Sequence, residues 1–364
     1  MNTGDAASLT PASASGVPHG WQGRTIVGLD VGGAHTKGAL ARDGRIEDVV
    51  QIATPLWQGL HHLDDALASV RQRFAATGSP AFAVTVTAEL TDAFASRRDG
   101  ISQLADRLAA ALGPETIIYA GPKGFLPIAD AADHVAAVAS ANWHATAALV
   151  GRTCPNALLV DIGSTTADLI PIVDARPAAQ GYGDAERLAS GELLYTGATR
   201  TFVMAIADRV PFAGRWQPLM NEYFASMADV RRITGELPEG VDQHATADGR
   251  GKSLAESRAR LARMVGYDAA DAREADWLRL AHYLGERQLG SLFDAASLVL
   301  SHGTVADDAP IVGAGIGDFL SRALAHRLGR RWISLAETIP VAPAAAPWAA
   351  RAAPAVAVAL LAGG

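Results

Sequence analysis

The sequence predicts a duplicated α/β fold, two halves that each run in the order βββαβαβα, with a helical insertion in the second. Three observations predict it. Apolar periodicity and glycine punctuation give the same element order twice. The run Asp30-Val31-Gly32-Gly33-Ala34-His35-Thr36 is answered 131 positions later by Asp161-Ile162-Gly163-Ser164-Thr165-Thr166, each a strand that ends in Asp-x-Gly and turns straight into another strand. The length of 364 residues fits two domains at about 150 residues each.

The elements follow in order. Residues 1–23 are rich in Ala, Ser, Thr and Pro, lack an apolar core and carry Asp5 where a signal peptide carries Lys or Arg, so a loose tail is expected. Arg24–Val31, Thr36–Ala41 and Arg45–Ala53 read as a three-strand meander. A helix over His61–Ala76, a strand over Ala81–Thr87, a helix over Asp92–Leu112, a strand over Thr116–Ala120 and a long Ala-rich helix over Ala129–Val150 complete the first half, 24–150. The second half, 151–364, has strands at Ala157–Ile162 and Ala167–Val173 and a weaker one near Pro177–Gly181. After an insertion at about 183–268 come a helix over Asp271–Leu300, a strand over Pro310–Ala314, a helix over Asp318–Leu328, a strand over Trp332–Leu335 and a closing helix after Ala346. The apolar stretch Ala352–Ala362 is about eleven residues long, whereas a membrane span needs ~20, so a buried terminal helix is expected. Two such halves are ribonuclease-H-like, and facing one another they would bring both acidic turns to one cleft.

Composition narrows the function. Lys and Arg number 31 against 38 Asp and Glu, a net charge of −7 with no basic block, which excludes the electrostatic footprint of a nucleic-acid binder. The one cysteine, Cys154, cannot form an internal disulfide or a multi-cysteine metal site, so a cytoplasmic protein is expected.

The paired turns carry the chemistry. Glycine leaves no Cβ between backbone N–H groups and an anion, so Gly32, Gly33 and Gly163, with the hydroxyls of Thr36, Ser164, Thr165 and Thr166, suit a phosphate. Asp30 and Asp161 at the strand ends would repel that phosphate unless Mg²⁺ lay between. Asp-Gly and Gly-Gly are also ordinary hairpin signals, but the matched pair favours function. His35 sits inside the first turn; Lys37 is either a phosphate counter-ion or a solvent-facing strand residue. His61, His62, His144, His302 and His326 have no partner at metal-ligand spacing and are read as structural. A third segment, Ile311-Val312-Gly313-Ala314-Gly315-Ile316-Gly317-Asp318, is a strand entering a helix, where Gly313 and Gly315 would face a nucleotide or the far side of the cleft.

The two turns and this third segment resemble the phosphate and adenosine motifs of the actin/sugar-kinase/Hsp70 (ASKHA, actin-like ATPase) superfamily, and the turns are similar to those of hydantoinase/oxoprolinase proteins. Val86-Thr87-Ala88-Glu89-Leu90-Thr91-Asp92, Ser140-Ala141-Asn142-Trp143, Gly191-Glu192-Leu193-Leu194-Tyr195-Thr196-Gly197, Thr246-Ala247-Asp248-Gly249 and Arg258–Met264 resemble a subgroup described as tetrahydromethanopterin-linked one-carbon-transfer proteins and methanofuran-biosynthesis synthases. The resemblance implies a transferase that joins an (aminomethyl)furanylmethyl diphosphate to the phenol of γ-glutamyltyramine, or a tyrosine analogue, and releases diphosphate without requiring ATP. The alternative is an ATP-dependent small-molecule kinase.

Within that reading Glu89 and Asp92, three residues apart at a helix start, are the candidate general base and its neighbour, although such a pair also caps helices. Asp161 serves both metal and catalysis. Asn142, Trp143, Glu192, Arg200 and Asp248 are candidates for substrate recognition, although a Trp143 in a helix of mostly Ala, Val and Leu reads first as core. Expected partners are the small-molecule substrates, with no nucleic acid, no membrane, and a homodimer as the one protein assembly considered.

Overall fold

The computed structural model describes residues 16–364. Of the expected tail, 1–15 lie outside the described residues; within 16–23, Trp21 is buried and Val17 packs against the same hydrophobic core, so this part is anchored rather than loose.

The first lobe begins with the expected meander, β1 (Ile26–Val31), β2 (His35–Arg42) and β3 (Arg45–Ala53). α1 (His61–Arg73), β4 (Ala81–Val86), α2 (Arg97–Leu112), β5 (Ile117–Tyr119) and β6 (Phe125–Pro127) follow, in a sheet of order β3-β2-β1-β4-β5-β6. β1 runs antiparallel to β2 and parallel to β4, so Asp30 lies opposite Lys37 on one side and Thr85 on the other. α2 starts at Arg97, where Ser96 Oγ accepts from Asp99 N at 3.2 Å; residues 87–96 form a loop, and Glu89 and Asp92 share no helical turn.

The single helix expected over Ala129–Val150 is broken. A 3₁₀ turn over Ile128–Asp133 and α3 (Val135–Val138) precede α4 (Asn142–Thr153). Between them Ala139 is extended and bridges Val86 of β4, and Ser140 takes φ 51. Alanine's helix propensity is a weak prior that this tertiary bridge overrides.

The second lobe repeats the plan with β7 (Ala157–Ile162) and β8 (Ala167–Val173). Its third strand is split: β9 (Arg176–Pro177) pairs the far end of β8, and β10 (Leu193–Leu194) pairs Asp168 and Ala167 at the near end, with α5 (Asp184–Ser190) between them. The insertion then adds the hairpin β11 (Arg209–Phe212) and β12 (Arg215–Pro218), α6 (Met227–Thr234) and α7 (Leu254–Met264). α8 (Glu274–Leu300), β13 (Ile311–Ala314), α9 (Asp318–Arg327), β14 (Trp332–Ser334), α10 (Ala346–Ala349) and α11 (Ala353–Gly363) close the chain, in a sheet of order β10-β8-β7-β13-β14.

Two features depart from the expected boundaries. The first half of α8 (Trp277, Leu280, Leu284) belongs to the insertion's own core with Val203, Val230 and Leu261, whereas its second half (Leu292, Ala296, Val299) packs on the second sheet. The insertion therefore reaches past residue 268. The lobes also exchange terminal helices: α4 packs on β8 and β9, and α11 packs on β1, β2 and β4 as well as on α4. A Cβ on Gly28 would lie 2.1 Å from Ala355 O, so the approach of α11 to β1 requires glycine there. Burial on all sides explains why Ala352–Ala362 is apolar all round. Among the described residues no helix is long and apolar enough to cross a membrane.

Candidate active site

The two Asp-x-Gly turns meet in one cleft of about 240 Å³ between the lobes. In the first, Gly32 N closes the turn onto His35 O at 3.0 Å; in the second, Gly163 N closes onto Thr166 O at 2.9 Å. The carbonyls of Gly33 and Ala34 accept from Leu56 and Thr54, and those of Gly163 and Ser164 accept from Ala198 and Arg200. Across a trans peptide the N–H of the next residue points opposite to the carbonyl, so Ala34, His35, Ser164 and Thr165 turn their N–H groups away from these supports. Gly197 permits the support of the second turn, since a Cβ there would lie 2.4 Å from the Ser164 backbone.

Four charged side chains from the strand pairs face the cleft. Asp30 is 4 % exposed and its Oδ2 accepts from Lys37 Nζ at 3.4 Å, so Lys37 does not face solvent. Asp30 Oδ1 is buried with no hydrogen-bond partner among the described residues. In the second lobe Asp161 lies directly opposite Asp168 in the β7–β8 ladder, a like-charge pair that destabilises the sheet unless compensated. Compensation comes from Arg187 on α5, which is buried and ion-paired to Asp168. Burial raises the Asp161 carboxyl to about 7, with the Asp168 charge adding to it. Burial also raises Asp30 against the lowering effect of Lys37, and Asp168 against that of Arg187.

Of the residues singled out from the sequence, the cleft is lined by Asp30, Gly32, Gly33, His35, Lys37, Asn142, Asp161, Gly163, Ser164, Thr165, Thr166 and Arg200. His35 is buried with Nε2 unpartnered among the described residues; burial, then His244 beside it at 4.5 Å, push its pKa down to about 2. With no anion bound it is thus a neutral imidazole. Arg200 reaches Thr165 Oγ1 at 3.4 Å and stacks over the Trp57 ring at 4.6 Å.

Other candidates lie elsewhere. Thr36 is buried and bonded to Thr54, tying β2 to the end of β3. Gly313 is a packing glycine: a Cβ would lie 2.4 Å from Ser321 Oγ and Trp332 Nε1. Gly315 has φ 82 and its N–H donates to Ala350 O at 2.8 Å, so that donor is spent on the fold; its Cβ position lies 2.5 Å from Asp161 Oδ1. Trp143 is core, and its ring face is covered by the Arg187 guanidinium at 4.3 Å. Glu192 is buried and accepts from Gln180 N at 2.7 Å and Ser190 Oγ at 2.9 Å, clamping the split third strand. Asp248 is held by Arg260 at 3.1 Å and Arg263 at 3.2 Å inside the insertion. Asp92 is exposed on the loop. Glu89 is 2 % exposed and does not line the cleft; it sits behind Ser140, which does.

The sequence reading missed Asp168, Arg187, Ser140 as a cleft residue, and the aromatic neighbours Trp57 and His244. A signal existed for Asp168, which stands 131 positions after Lys37, the same offset that links Asp30 to Asp161. Arg187 had none, because α5 interrupts the repeat.

Two lobes of this topology with a paired-turn cleft between them define the ASKHA superfamily, whose chemistry is of the transferase and kinase type. The hydantoinase/oxoprolinase family model matches residues 81–352, and the chain belongs to that family. A (4-{4-[2-(gamma-L-glutamylamino)ethyl]phenoxymethyl}furan-2-yl)methanamine synthase from Methanocaldococcus jannaschii is 29% identical over 294 residues, 80% of this chain and 86% of the relative. The synthase of the same name from Methanococcus vannielii is 35% identical over 113 residues, 31% of this chain and 50% of the relative. Among solved structures, a nucleotide-free acetone carboxylase aligns over 92% of this chain and 70% of its own with a TM-score of 0.54 and 11% identity, a likeness of fold.

Proposed function

We propose that the cleft binds a metal-bound phosphate donor between its two turns and transfers the group that donor carries to an acceptor hydroxyl. The observation that carries this reading is the convergence of Asp30, Lys37, Asp161 and both glycine turns in one cleft. Four carboxylates, Asp30, Asp161, Asp168 and Asp184, line it together with Lys37, Arg187 and Arg200, and the unpartnered Asp30 Oδ1 is a ready oxygen ligand. This donor set suits Mg²⁺, which takes one or two carboxylates and fills its remaining positions with phosphate oxygens and water. Asp30 and Asp161 would hold it; bound there, it would neutralise charge on the departing phosphate. Lys37 and the N–H groups of the turns act on the same phosphate, each well-placed donor contributing ~3 kcal/mol.

Two donors suit the reading. A nucleoside triphosphate would make the chain a small-molecule kinase, the reading its superfamily supports most broadly; the Gly315 turn packed against Asp161 is where a nucleoside would approach. A furanylmethyl diphosphate would make it an ether-forming synthase, as the names of its relatives suggest. In that reaction the phenol oxygen bonds to the furan-bearing carbon while the carbon–oxygen bond to diphosphate breaks.

Calorimetric titration with Mg²⁺-diphosphate and with Mg²⁺-ATP, each with and without γ-glutamyltyramine, separates the two. Diphosphate binding strengthened by the phenol, with weak ATP binding, supports ether synthesis. ATP binding with ADP formation supports the kinase. Binding of neither refutes the metal–phosphate cleft.

A further inference from the structure

Glu89 is a buried carboxylate with an outlet. Its Oε1 accepts from Ser140 Oγ at 2.7 Å, and its Oε2 has no partner among the described residues. Gly100 of α2 closes over its backbone, since a Cβ there would lie 2.9 Å from Glu89 Cα. Ser140 lines the cleft, so the contact from Glu89 to the cleft runs through its hydroxyl.

The polarity of that hydroxyl matters. A serine has one proton and two lone pairs, and Ser140 commits its proton to Glu89. Toward the cleft it offers lone pairs, so an acceptor hydroxyl bound there must donate to Ser140. The backbone supports the same conclusion: a non-glycine residue at φ 51 carries a cost of about 1–2 kcal/mol, and here the break between α3 and α4 aims Ser140 at the cleft.

We propose that Ser140 is a catalytic residue that relays the acceptor's proton to Glu89. As the acceptor oxygen bonds to the transferred group, its proton passes to Ser140 Oγ and the Ser140 proton passes to Glu89 Oε1. The bond between the transferred group and the departing phosphate breaks with its electron pair on the phosphate oxygen. The relay rests on the reading of the cleft as a transferase with a hydroxyl acceptor, and holds for either donor. Burial raises the Glu89 carboxyl, which suits it to take a proton; the charged or titratable groups near it are Arg97 on α2, Asp184 on α5 and Tyr195.

The test uses the full chain. Ser140→Gly removes the hydroxymethyl side chain and with it the relay hydroxyl, and glycine adopts this φ without strain. Glu89→Gln keeps the shape and cannot take the proton. Calorimetry with Mg²⁺-diphosphate reads the donor site, and kcat and the pH profile of kcat/KM are measured with the donor that the wild type turns over. Both variants are expected to bind diphosphate within about twofold of wild type, to lose ~10²–10⁴-fold in kcat, and to lose the Glu89 contribution to the low-pH fall in kcat/KM while that of Asp161 stays. Wild-type kcat in either variant overturns the relay. If instead the wild type binds no Mg²⁺-diphosphate, the reading of the cleft fails, and that outcome is distinct.

Discussion

The two turns descend from the same pattern and solve the same electrostatic problem differently. In the first lobe Asp30 finds its counter-charge on the facing strand, where Lys37 pairs with it at 3.4 Å. In the second lobe the corresponding position is Asp168, and Asp161 faces a second carboxylate. The compensating charge is imported from α5, the helix that splits the third strand, as the buried Arg187. A duplicated backbone thus carries an asymmetric charge set: a self-neutralised aspartate opposite a crowded one. The crowded one, Asp161, is raised to about 7 by its burial, with the Asp168 charge adding to it.

The strongest way to break the comparison is Arg187→Met, which leaves Asp168 buried and unpaired. A loss of about 3–5 kcal/mol in unfolding free energy is expected by denaturant titration, most of it restored in the Arg187→Met/Asp168→Asn double variant. A loss that the double variant does not restore would assign Arg187's contribution to its stacking on Trp143 instead.

Next in size is Asp161→Asn, expected to lower turnover ~10²–10³-fold with the fold intact by circular dichroism. Its effect on stability has a definite sign. The folded carboxyl titrates near 7 and the unfolded one near 3.8, so between these values the native state holds more protons. Stability from this group is fully present below the unfolded value and is lost as pH rises through the folded one. The metal-free wild type is therefore expected to melt higher at pH 5 than at pH 8 through this group, and Asp161→Asn to flatten that slope. An unchanged slope in the variant would place the titration elsewhere. Asp30→Asn is expected to lose turnover similarly and to change the slope in the same direction, since burial raises this carboxyl too despite Lys37.

Lys37→Met sharpens the comparison from the other side, and about tenfold weaker Mg²⁺-diphosphate binding is expected by calorimetry, the scale of one charge-assisted contact. The smallest effect is expected of Asp92→Asn: the side chain is exposed on a loop, so both stability and kcat stay within about 0.5 kcal/mol of wild type.

Much of the fold was legible because the cues are local. β3, β7 and β8 fall where strand-forming residues and turn signals put them, and both Asp-x-Gly turns follow from their glycines. The failures share one cause. The helix over 129–150 breaks at Ser140 because Ala139 bridges a strand more than fifty positions earlier, and the third strand of the second lobe divides because α5 must bring Arg187 to Asp168. Glu192, Asp248 and Trp143 carried motif resemblance, yet each is committed to neighbours inside the fold.

The sequence by itself determined the duplicated element order, the two acidic turns and the apolar closing helix, since periodicity and turn chemistry act over a few residues. Tertiary structure alone decided that α4 and α11 change lobes, that Lys37 serves Asp30 while Arg187 serves Asp168, and that Glu89 meets the cleft only through Ser140. Those outcomes depend on burial and on contacts between residues far apart in the chain, and it is burial that turns an ordinary carboxylate such as Asp161 into one that titrates near neutrality.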